Sequence, residues 1–205
     1  MEMDDREQIF SAVRKALDPL PARTAYPDWD PAVTVARCAT APDAPNDRAL
    51  FFVQLTAAHG YGLNGPEAVA AFLKEHGAEQ GYLDPSLADY FGAALAGFRV
   101  ETEFDRSRVD EYAFGITRAT GGIAETGSLI LTDGHTPARL AALAPWIHIA
   151  VLEESSIVRT VDEAVVAFGN DPSIIFVTGP SKTADIEGIL IEGVHGPGIQ
   201  ACCFR

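Results

Sequence analysis

The fold is decided by residues 113–152, which read AFGITRATGGIAETGSLILTDGHTPARLAALAPWIHIAVL. Short apolar runs rich in β-branched residues predict strands over residues 113–118, 128–132 and 147–152. A helical pattern over residues 136–143 separates the last two of these runs. Strands that are apolar throughout and alternate with helices are typical of a sheet buried on both faces. The stretch therefore predicts an α/β fold.

The same alternation extends in both directions from this stretch. It predicts further strands over residues 97–101, 173–178 and 199–204 and a helix over residues 160–168. In the part of the chain before residue 97 it predicts three helices, over residues 48–58, over residues 66–77 and from Asp84. An amphipathic helix is predicted at residues 4–18, and recurrent prolines predict a linker over residues 19–45. We expect an N-terminal helix (1–18), a proline-rich tether (19–45) and one α/β domain (46–205). A tethered helix can pack against a partner or a second copy of the chain, so a homo-oligomer is a further expectation.

Composition excludes several classes of function. The chain has 205 residues with 15 basic and 29 acidic side chains, a net charge of -14, which disfavours nucleic acid and anionic membrane surfaces as partners. No apolar run reaches the ~18 residues that a membrane span needs, and the acidic N-terminus lacks the layout of a signal peptide. We therefore expect a cytoplasmic protein without membrane insertion.

The cysteines indicate that the chain has no metal centre of its own. Cys38, Cys202 and Cys203 form no Cys-x-x-Cys pair, which argues against a four-cysteine zinc site or an iron–sulfur cluster in this chain. Cys202 and Cys203 fall in a predicted strand and should point to opposite faces of its sheet. No second histidine stands at ligand spacing from His195, so no metal site is predicted.

Residues 60–65, GYGLNG, match the dinucleotide fingerprint G-x-G-x-x-G. That motif acts only where a strand feeds the glycine loop, because the helix dipole and the free amides must meet the pyrophosphate. Here the preceding segment carries helix caps at both ends. We interpret the glycines as a helix stop followed by a turn.

A polar loop, residues 179–183 (GPSKT), follows the predicted strand at residues 173–178. Gly179-Pro180 ends that strand, and Ser181 and Thr183 stand where a helix would begin. The helix is supported by apolar residues at helical spacing, namely Ile186, Ile189, Leu190 and Val194. Free amides at the carboxyl edge of a sheet bind anions, and Lys182 adds a positive charge. The alternative is that Ser181 or Thr183 only caps the helix while Lys182 pairs with Asp185.

Two further segments carry chemistry. Glu125, Thr126 and Ser128 offer one carboxylate and two hydroxyls around Gly127, although a purely structural turn explains them equally well. His195 lies in a glycine-rich turn, where it can act as a general acid or base or donate to an anion, the alternative being a merely exposed side chain.

Together these segments resemble the LUD-domain family, in its lactate utilization protein C branch. The resemblance rests on residues 178–188 (TGPSKTADIEG), 193–197 (GVHGP) and 123–129 (IAETGSL), and it is weak before Ala113. Many relatives carry arginine where this chain has Lys182, which keeps the charge but loses the planar two-pronged geometry of a guanidinium.

The resemblance implies a three-layer α/β/α architecture like that of the NagB/RpiA/CoA-transferase proteins. It also implies a role with two iron–sulfur partner subunits in oxidising L-lactate to pyruvate. The iron–sulfur clusters would reside in those partners, and no cofactor is expected in this chain.

Under this hypothesis a pocket binds an organic acid or another small anion. Lys182, the amides after Gly179 and His195 would hold the negative group, with Glu125 and Asp185 orienting them; Glu125 and His195 are the catalytic candidates. The full set of predicted ligand-binding residues is Thr126, Gly127, Ser128, Gly179, Pro180, Ser181, Lys182, Thr183, Asp185, Glu187, Gly196 and Pro197. The alternative is a stand-alone enzyme acting on an acyl-CoA or sugar-phosphate substrate, with Glu125 as nucleophile or base.

Overall fold

The computed structural model of the chain describes residues 5–18, 46–184 and 190–205. The chain divides into two compact units, which comprise residues 1–37 and 38–205. In the first unit the predicted amphipathic helix is confirmed as α1 (Asp5–Leu17), and its apolar side chains are exposed. The predicted proline-rich tether lies outside the described residues, so the domain boundaries remain a prediction.

The second unit alternates helices with short strands. Its α-helices are α2 (Asp47–Ala57), α3 (Gly65–Glu75), α4 (Ala88–Phe91), α5 (Arg139–Leu143) and α6 (Val161–Phe168). Its strands are β1 (Tyr61–Asn64), β2 (Gln80–Leu83), β3 (Arg99–Glu101), β4 (Phe114–Arg118), β5 (Gly121–Ile123), β6 (Ser128–Thr132), β7 (Ile147–Leu152), β8 (Ile157–Val158), β9 (Ile174–Val177), β10 (Lys182–Ala184), β11 (Leu190–Glu192) and β12 (Ile199–Phe204). In the described part of the chain, no helix has the length and apolar character needed to cross a membrane.

The centre of the unit is a six-stranded parallel sheet with strand order β1-β12-β7-β4-β2-β3. Every residue of β7 is buried, as expected for a central strand that is covered on both faces. The glycine motif at 60–65 contains β1 within it and follows α2, so its glycines do not form a loop that a strand feeds. The predicted helix stop is confirmed, whereas the segment after it, predicted as a turn, is the strand β1.

Alternate residues of the central strands pack into two separate cores. Ile147, Ile149 and Cys203 share one core with α3 and α4. Leu152 and Cys202 share the other with α2 and α5. Cys202 and Cys203 thus face opposite sides of the sheet, and the predicted three-layer α/β/α arrangement is confirmed.

A second, four-stranded sheet packs on the α2 side, with strand order β8-β5-β6-β9. Leu129 and Leu131 of β6 join the core of α2, while Ile123 and Ile130 face Ala164 of α6. The strands predicted at 128–132 and 173–178 exist as β6 and β9, but they belong to this mixed sheet rather than to the parallel one. β6 lies between β5 and β9, and β5 pairs on its other side with β8, so the four strands pair only with one another.

One glycine sets how closely α5 lies on the parallel sheet. A Cβ atom built on Gly115 of β4 would collide with the main-chain oxygen of Ala141 in α5. Any side chain at this position would therefore push the helix off the strand.

Three polar side chains are buried between these layers. His148 of β7 is fully buried, and its Nε2 lies 2.9 Å from Oγ1 of Thr117 and its Nδ1 2.9 Å from Oε1 of Gln200. An amide oxygen only accepts, so Nδ1 carries the proton and Nε2 accepts from the threonine hydroxyl. Burial lowers the pKa of His148 from 6.5 to about 4, so this neutral form persists at neutral pH.

The buried histidine should make the protein sensitive to acid. In the unfolded chain His148 titrates near its ordinary pKa of 6.5 and in the folded protein near 4, so the unfolded state binds more protons between these values. The free energy of unfolding is therefore unaffected above about pH 6.5 and falls by about 3 kcal/mol as the pH drops to 4. Urea unfolding of wild type and His148→Gln over pH 4–7.5 measures this, because the variant should lack that part of the slope. An exposed-site variant, His76→Gln, should keep it. Parallel pH curves for wild type and His148→Gln would contradict the assignment.

Candidate functional site

The C-terminal segment 179–205, here called the tail, contains two polar loops that lie next to each other, as the sequence predicts. They are the Gly-Pro-Ser-Lys-Thr loop (179–183) and the His-Gly-Pro loop (195–197). Ser181 N–H donates to the Pro197 carbonyl at 2.9 Å, and Gly193 N–H donates to the Ser181 carbonyl at 2.8 Å. The Ser181 hydroxyl also accepts from His195 N–H at 3.2 Å. Gly196 packs against the Cβ atom of Ser181. Ser181 is thus the residue that ties the Gly-Pro-Ser-Lys-Thr loop to the His-Gly-Pro loop.

The predicted helix after Ser181 is wrong. Residues 182–184 and 190–192 form an antiparallel hairpin, in which Thr183 pairs with Ile191. Gly179 and Gly193 flank this hairpin and both have positive φ angles, which reverse the chain and outweigh the helical spacing of the apolar residues. Asp185 and Glu187 lie outside the described residues.

The predicted position of the tail loops relative to the sheet is also wrong. The strand before them, β9, is a partly exposed strand of the second sheet. The loop at 193–198 precedes β12, and the main-chain N–H of Ile199 bonds to the carbonyl of Trp146, which precedes β7. The His-Gly-Pro loop therefore lies at the amino edge of the parallel sheet. In open α/β sheets, ligands bind at the carboxyl ends of the strands instead.

Lys182 has a carboxylate and a main-chain carbonyl close to its ammonium group. Its Nζ lies 3.7 Å from Oε1 of Glu192 and 3.4 Å from the Ala58 carbonyl. The same carboxylate oxygen is 2.9 Å from Nδ1 of His59, a residue with a positive φ angle of 68° at the end of α2. An added anion at Lys182 would have to compete with Glu192.

The turn at 125–128 meets the tail through a chain of hydroxyls. Ser128 Oγ lies 2.6 Å from Thr178 Oγ1 and 2.7 Å from Thr126 Oγ1. Gly127 and Gly179 both have positive φ angles. A Cβ atom on Gly127 would strike the main chain of α2, and one on Gly179 would strike that of Ala58, which follows α2. These two glycines are therefore required for close packing, and Pro180 beside them is buried.

Glu125 has a structural partner. Its Oε1 accepts from the main-chain N–H of Val161 at 2.7 Å, at the first residue of α6. Helix N-termini leave such donors unsatisfied, and a carboxylate there also interacts favourably with the helix dipole. This hydrogen bond gives Glu125 the role of a tertiary helix cap. His195, the other catalytic candidate, is exposed.

The opposite edge of the parallel sheet holds a cavity of about 260 Å³, here called the carboxyl-edge cavity. Arg118 ends β4, Glu153 follows β7 and Arg205 follows β12, so the carboxyl ends of three neighbouring strands line it. The remaining lining includes Ser86, Thr120, His135 and Ser156. The chain runs from β2 outward to β3 and returns through β4 to β7 and β12, so strand order reverses between β2 and β4 beside this cavity. In open α/β sheets, ligands bind at the carboxyl ends of strands near such a reversal.

Arg118 is the first cation of the cavity. Its Nε atom is buried and, like Nε of Arg139, has no hydrogen-bond partner among the described residues, and Oδ2 of Asp84 is 3.6 Å away. Asp84 is itself buried, and its Oδ1 accepts from the N–H and the hydroxyl of Ser86 at 2.9 Å and 2.5 Å. Burial, and then the charge of Asp84, raise the pKa of neighbouring Tyr82 to about 12.

Arg205 is the second cation of the cavity. Its Nε lies 3.7 Å from Oε1 of Glu153, and its guanidinium stacks 5.1 Å from the centre of the Tyr90 ring. Both contacts orient the side chain, and the separation from Glu153 exceeds a hydrogen bond.

Arg118, His135 and Arg205 are not among the site residues predicted from the sequence. A signal was available, because Arg118 and Arg205 stand at the carboxyl ends of correctly predicted strands. Within residues 5–18, 46–184 and 190–205, no group of three or more His, Cys, Asp or Glu side chains could hold a metal ion.

Comparison with known proteins identifies relatives of the chain. The LUD domain family model matches residues 60–201. Lactate utilization protein C of Halalkalibacterium halodurans is 37% identical over 111 residues, which are 49% of this chain and 48% of that protein. The protein of the same name from Deinococcus radiodurans is 36% identical over 115 residues (54% of each chain), and that from Bacillus subtilis is 37% identical over 98 residues (44% and 41%). The chain thus matches about half or less of the length of these curated relatives.

A solved structure shares the fold. The crystal structure of a DUF162 family protein from Deinococcus radiodurans superposes with a TM-score of 0.56 at 22% identity, covering 78% of this chain and 96% of that one.

If Glu125 caps α6, removing its carboxylate should destabilise the fold. We expect Glu125→Ala to lower the free energy of unfolding by about 1 kcal/mol, because Val161 N–H loses its acceptor. Glu125→Gln keeps an acceptor oxygen and should recover most of that loss. Urea unfolding measures both, with the exposed-site variant Glu103→Ala as the control for removing one negative charge. Wild-type stability in Glu125→Ala would refute the capping role.

Proposed function

Because the chain belongs to the LUD domain family, we propose that it takes part in lactate utilization. The family model covers most of the second unit, and relatives named lactate utilization protein C are 36–37% identical to this chain. This match is the observation that carries the proposal.

More specifically, we propose that the chain is the subunit without a redox centre in an assembly that oxidises L-lactate to pyruvate. Oxidation of the alcohol carbon releases two electrons and two protons, and the iron–sulfur clusters of two partner subunits would accept the electrons. The state of the described cysteines supports this division of roles. Cys202 and Cys203 are buried on opposite faces of the sheet, and burial raises the pKa of both thiols, which disfavours the thiolate form that ligates iron.

A surface for those partners is available around the tail. Trp146, Leu190, Ile191 and Val194 are exposed large apolar residues near the two converging loops. Gly193 and Gly198 lie directly against the Trp146 ring, which joins the hairpin to the amino edge of the sheet. Exposed apolar side chains gathered in this way are typical of protein contacts. The tail, including Lys182 and His195, would then serve mainly to bind protein partners.

The alternative of a stand-alone enzyme on an acyl-CoA or sugar-phosphate substrate has less support. It requires Glu125 as nucleophile or base, whereas that carboxylate accepts a hydrogen bond from the start of α6.

Loss of the gene should abolish growth on L-lactate as sole carbon source and leave growth on pyruvate unchanged, because pyruvate enters after the proposed step. A plasmid copy of the wild-type chain should restore growth. Undiminished growth of the deletion strain on L-lactate would refute the proposed function.

The partner surface can be tested separately in that host. We expect affinity-tagged wild-type chain to co-purify with two iron-containing polypeptides, and Ile191→Glu to lose them, because a charge would be placed in an apolar contact. Val166→Glu, a change on the exposed face of α6, is the matched control and should retain them. Melting curves of both variants establish that they are folded. Retention of both partners by folded Ile191→Glu would exclude this surface.

A further inference from the structure

We infer that the carboxyl-edge cavity binds a small monocarboxylate through the guanidinium groups of Arg118 and Arg205. The position and the charges of the cavity carry this inference. The choice of a 2-hydroxy acid as the first ligand to test rests on the proposed function.

Arg118 lines the cavity with a side chain that is 36% exposed, and it lacks a hydrogen-bonded carboxylate among the described residues. Asp84 does not supply the acceptor, because its Oδ1 is occupied by Ser86 and its Oδ2 is 3.6 Å from the guanidinium Nε. A carboxylate placed in the cavity could accept from the exposed part of this guanidinium, in the two-pronged geometry that arginine favours.

Both guanidinium groups are positioned before a ligand binds. Arg118 is fixed by its place at the end of β4 and by the buried carboxylate of Asp84, and Arg205 by its contact with the Tyr90 ring. Ordering of side chains on binding is a major cost of association, so fixed donors raise affinity for an anion.

The volume and the charges of the cavity limit the size and charge of the ligand. A cavity of about 260 Å³ is smaller than the usual site for a drug-sized ligand, so it suits a molecule of a few heavy atoms. Asp84 lies behind Arg118, and Glu153 lies beside Arg205, so the two cations are opposed by two carboxylates. These four groups carry no net positive charge, so a dianion such as hydrogen phosphate gains no Coulomb energy here to offset its larger desolvation cost. Thr120, Ser156 and His135 line the same cavity and offer partners for a hydroxyl or keto oxygen on the neighbouring carbon.

The test is calorimetric titration of the purified full chain with L-lactate, pyruvate, inorganic phosphate and the uncharged isostere lactamide. We expect the two carboxylates to bind, and lactamide and phosphate to bind at least tenfold more weakly. Arg118→Gln and Arg205→Gln should each weaken the binding of the carboxylates at least tenfold, as expected for the loss of a charge-assisted hydrogen bond. Arg99→Gln removes an exposed arginine elsewhere and should bind as wild type.

Arg118→Gln leaves Asp84 buried without its cation, so its folding is checked by a melting curve. Arg205→Gln, which changes a half-exposed side chain, provides an independent variant if Arg118→Gln is unfolded. Arg118→Lys should retain part of the affinity, because it keeps the charge and loses the fork.

Several results would overturn the inference. These are wild-type affinity in folded Arg118→Gln and Arg205→Gln, binding of phosphate without binding of either carboxylate, and absence of binding by every ligand. Loss of lactate binding in Lys182→Ala alone would instead locate the anion at the tail loops. Growth on L-lactate separates this inference from the proposed function. A chain that restores growth without binding a carboxylate refutes only the site, and one that binds without restoring growth refutes only the function.

Discussion

Every side chain of β7 is buried, and this double burial is the constraint on which the rest of the domain depends. The apolar residues of β7 are buried by packing against helices. Alternate positions belong to two cores, one with α3 and α4 on one face and the other with α2 and α5 on the opposite face. The one polar member, His148, meets this constraint by remaining neutral between Thr117 and Gln200. Gly115 on the adjacent strand completes the arrangement, since its missing side chain lets α5 approach the sheet. Because all six strands are parallel, their amino ends lie together along one side of the sheet, the amino edge, and their carboxyl ends along the other, the carboxyl edge. These two edges differ in chemical character.

Those two edges divide the polar residues of the chain into two groups. At the amino edge, Ser181 ties together loops whose charged groups already have partners, as Lys182 and His59 both approach Glu192. At the carboxyl edge, Arg118 and Arg205 approach carboxylates without hydrogen bonding to them through Nε. At the amino edge the charged groups pair with one another, and the exposed apolar residues beside them are typical of a protein contact. The carboxyl edge places two arginine side chains on the lining of a small cavity.

Much of the architecture could be predicted from hydrophobic periodicity. The strands at 128–132, 147–152 and 199–204 were predicted at their observed bounds, because apolar runs of that length between turn residues have few other solutions. The sequence does not reveal which strands share a sheet. Consequently β9 was expected at the carboxyl edge of the parallel sheet, while it lies in the second one. The hairpin of β10 and β11 was missed because the positive φ angles of Gly179 and Gly193, which the sequence pattern does not reveal, outweigh the helical spacing of the apolar residues. The convergence of the tail loops could be predicted, but the Arg118 cavity depends on strand order, which pattern alone does not supply.

The position of β1 in the parallel sheet has a consequence for how the domain folds. It is an edge strand whose neighbour is β12, so Tyr61 is paired with Ala201, across most of the length of the chain. A contact of this kind forms only after a long loop closes, and loop closure before any stabilising contact slows the search for the native topology. During synthesis, β1 has no partner in this sheet until residues 201–204 have been made. The sheet is therefore completed late, and an exposed strand edge persists in the meantime as a site for mispairing with other chains.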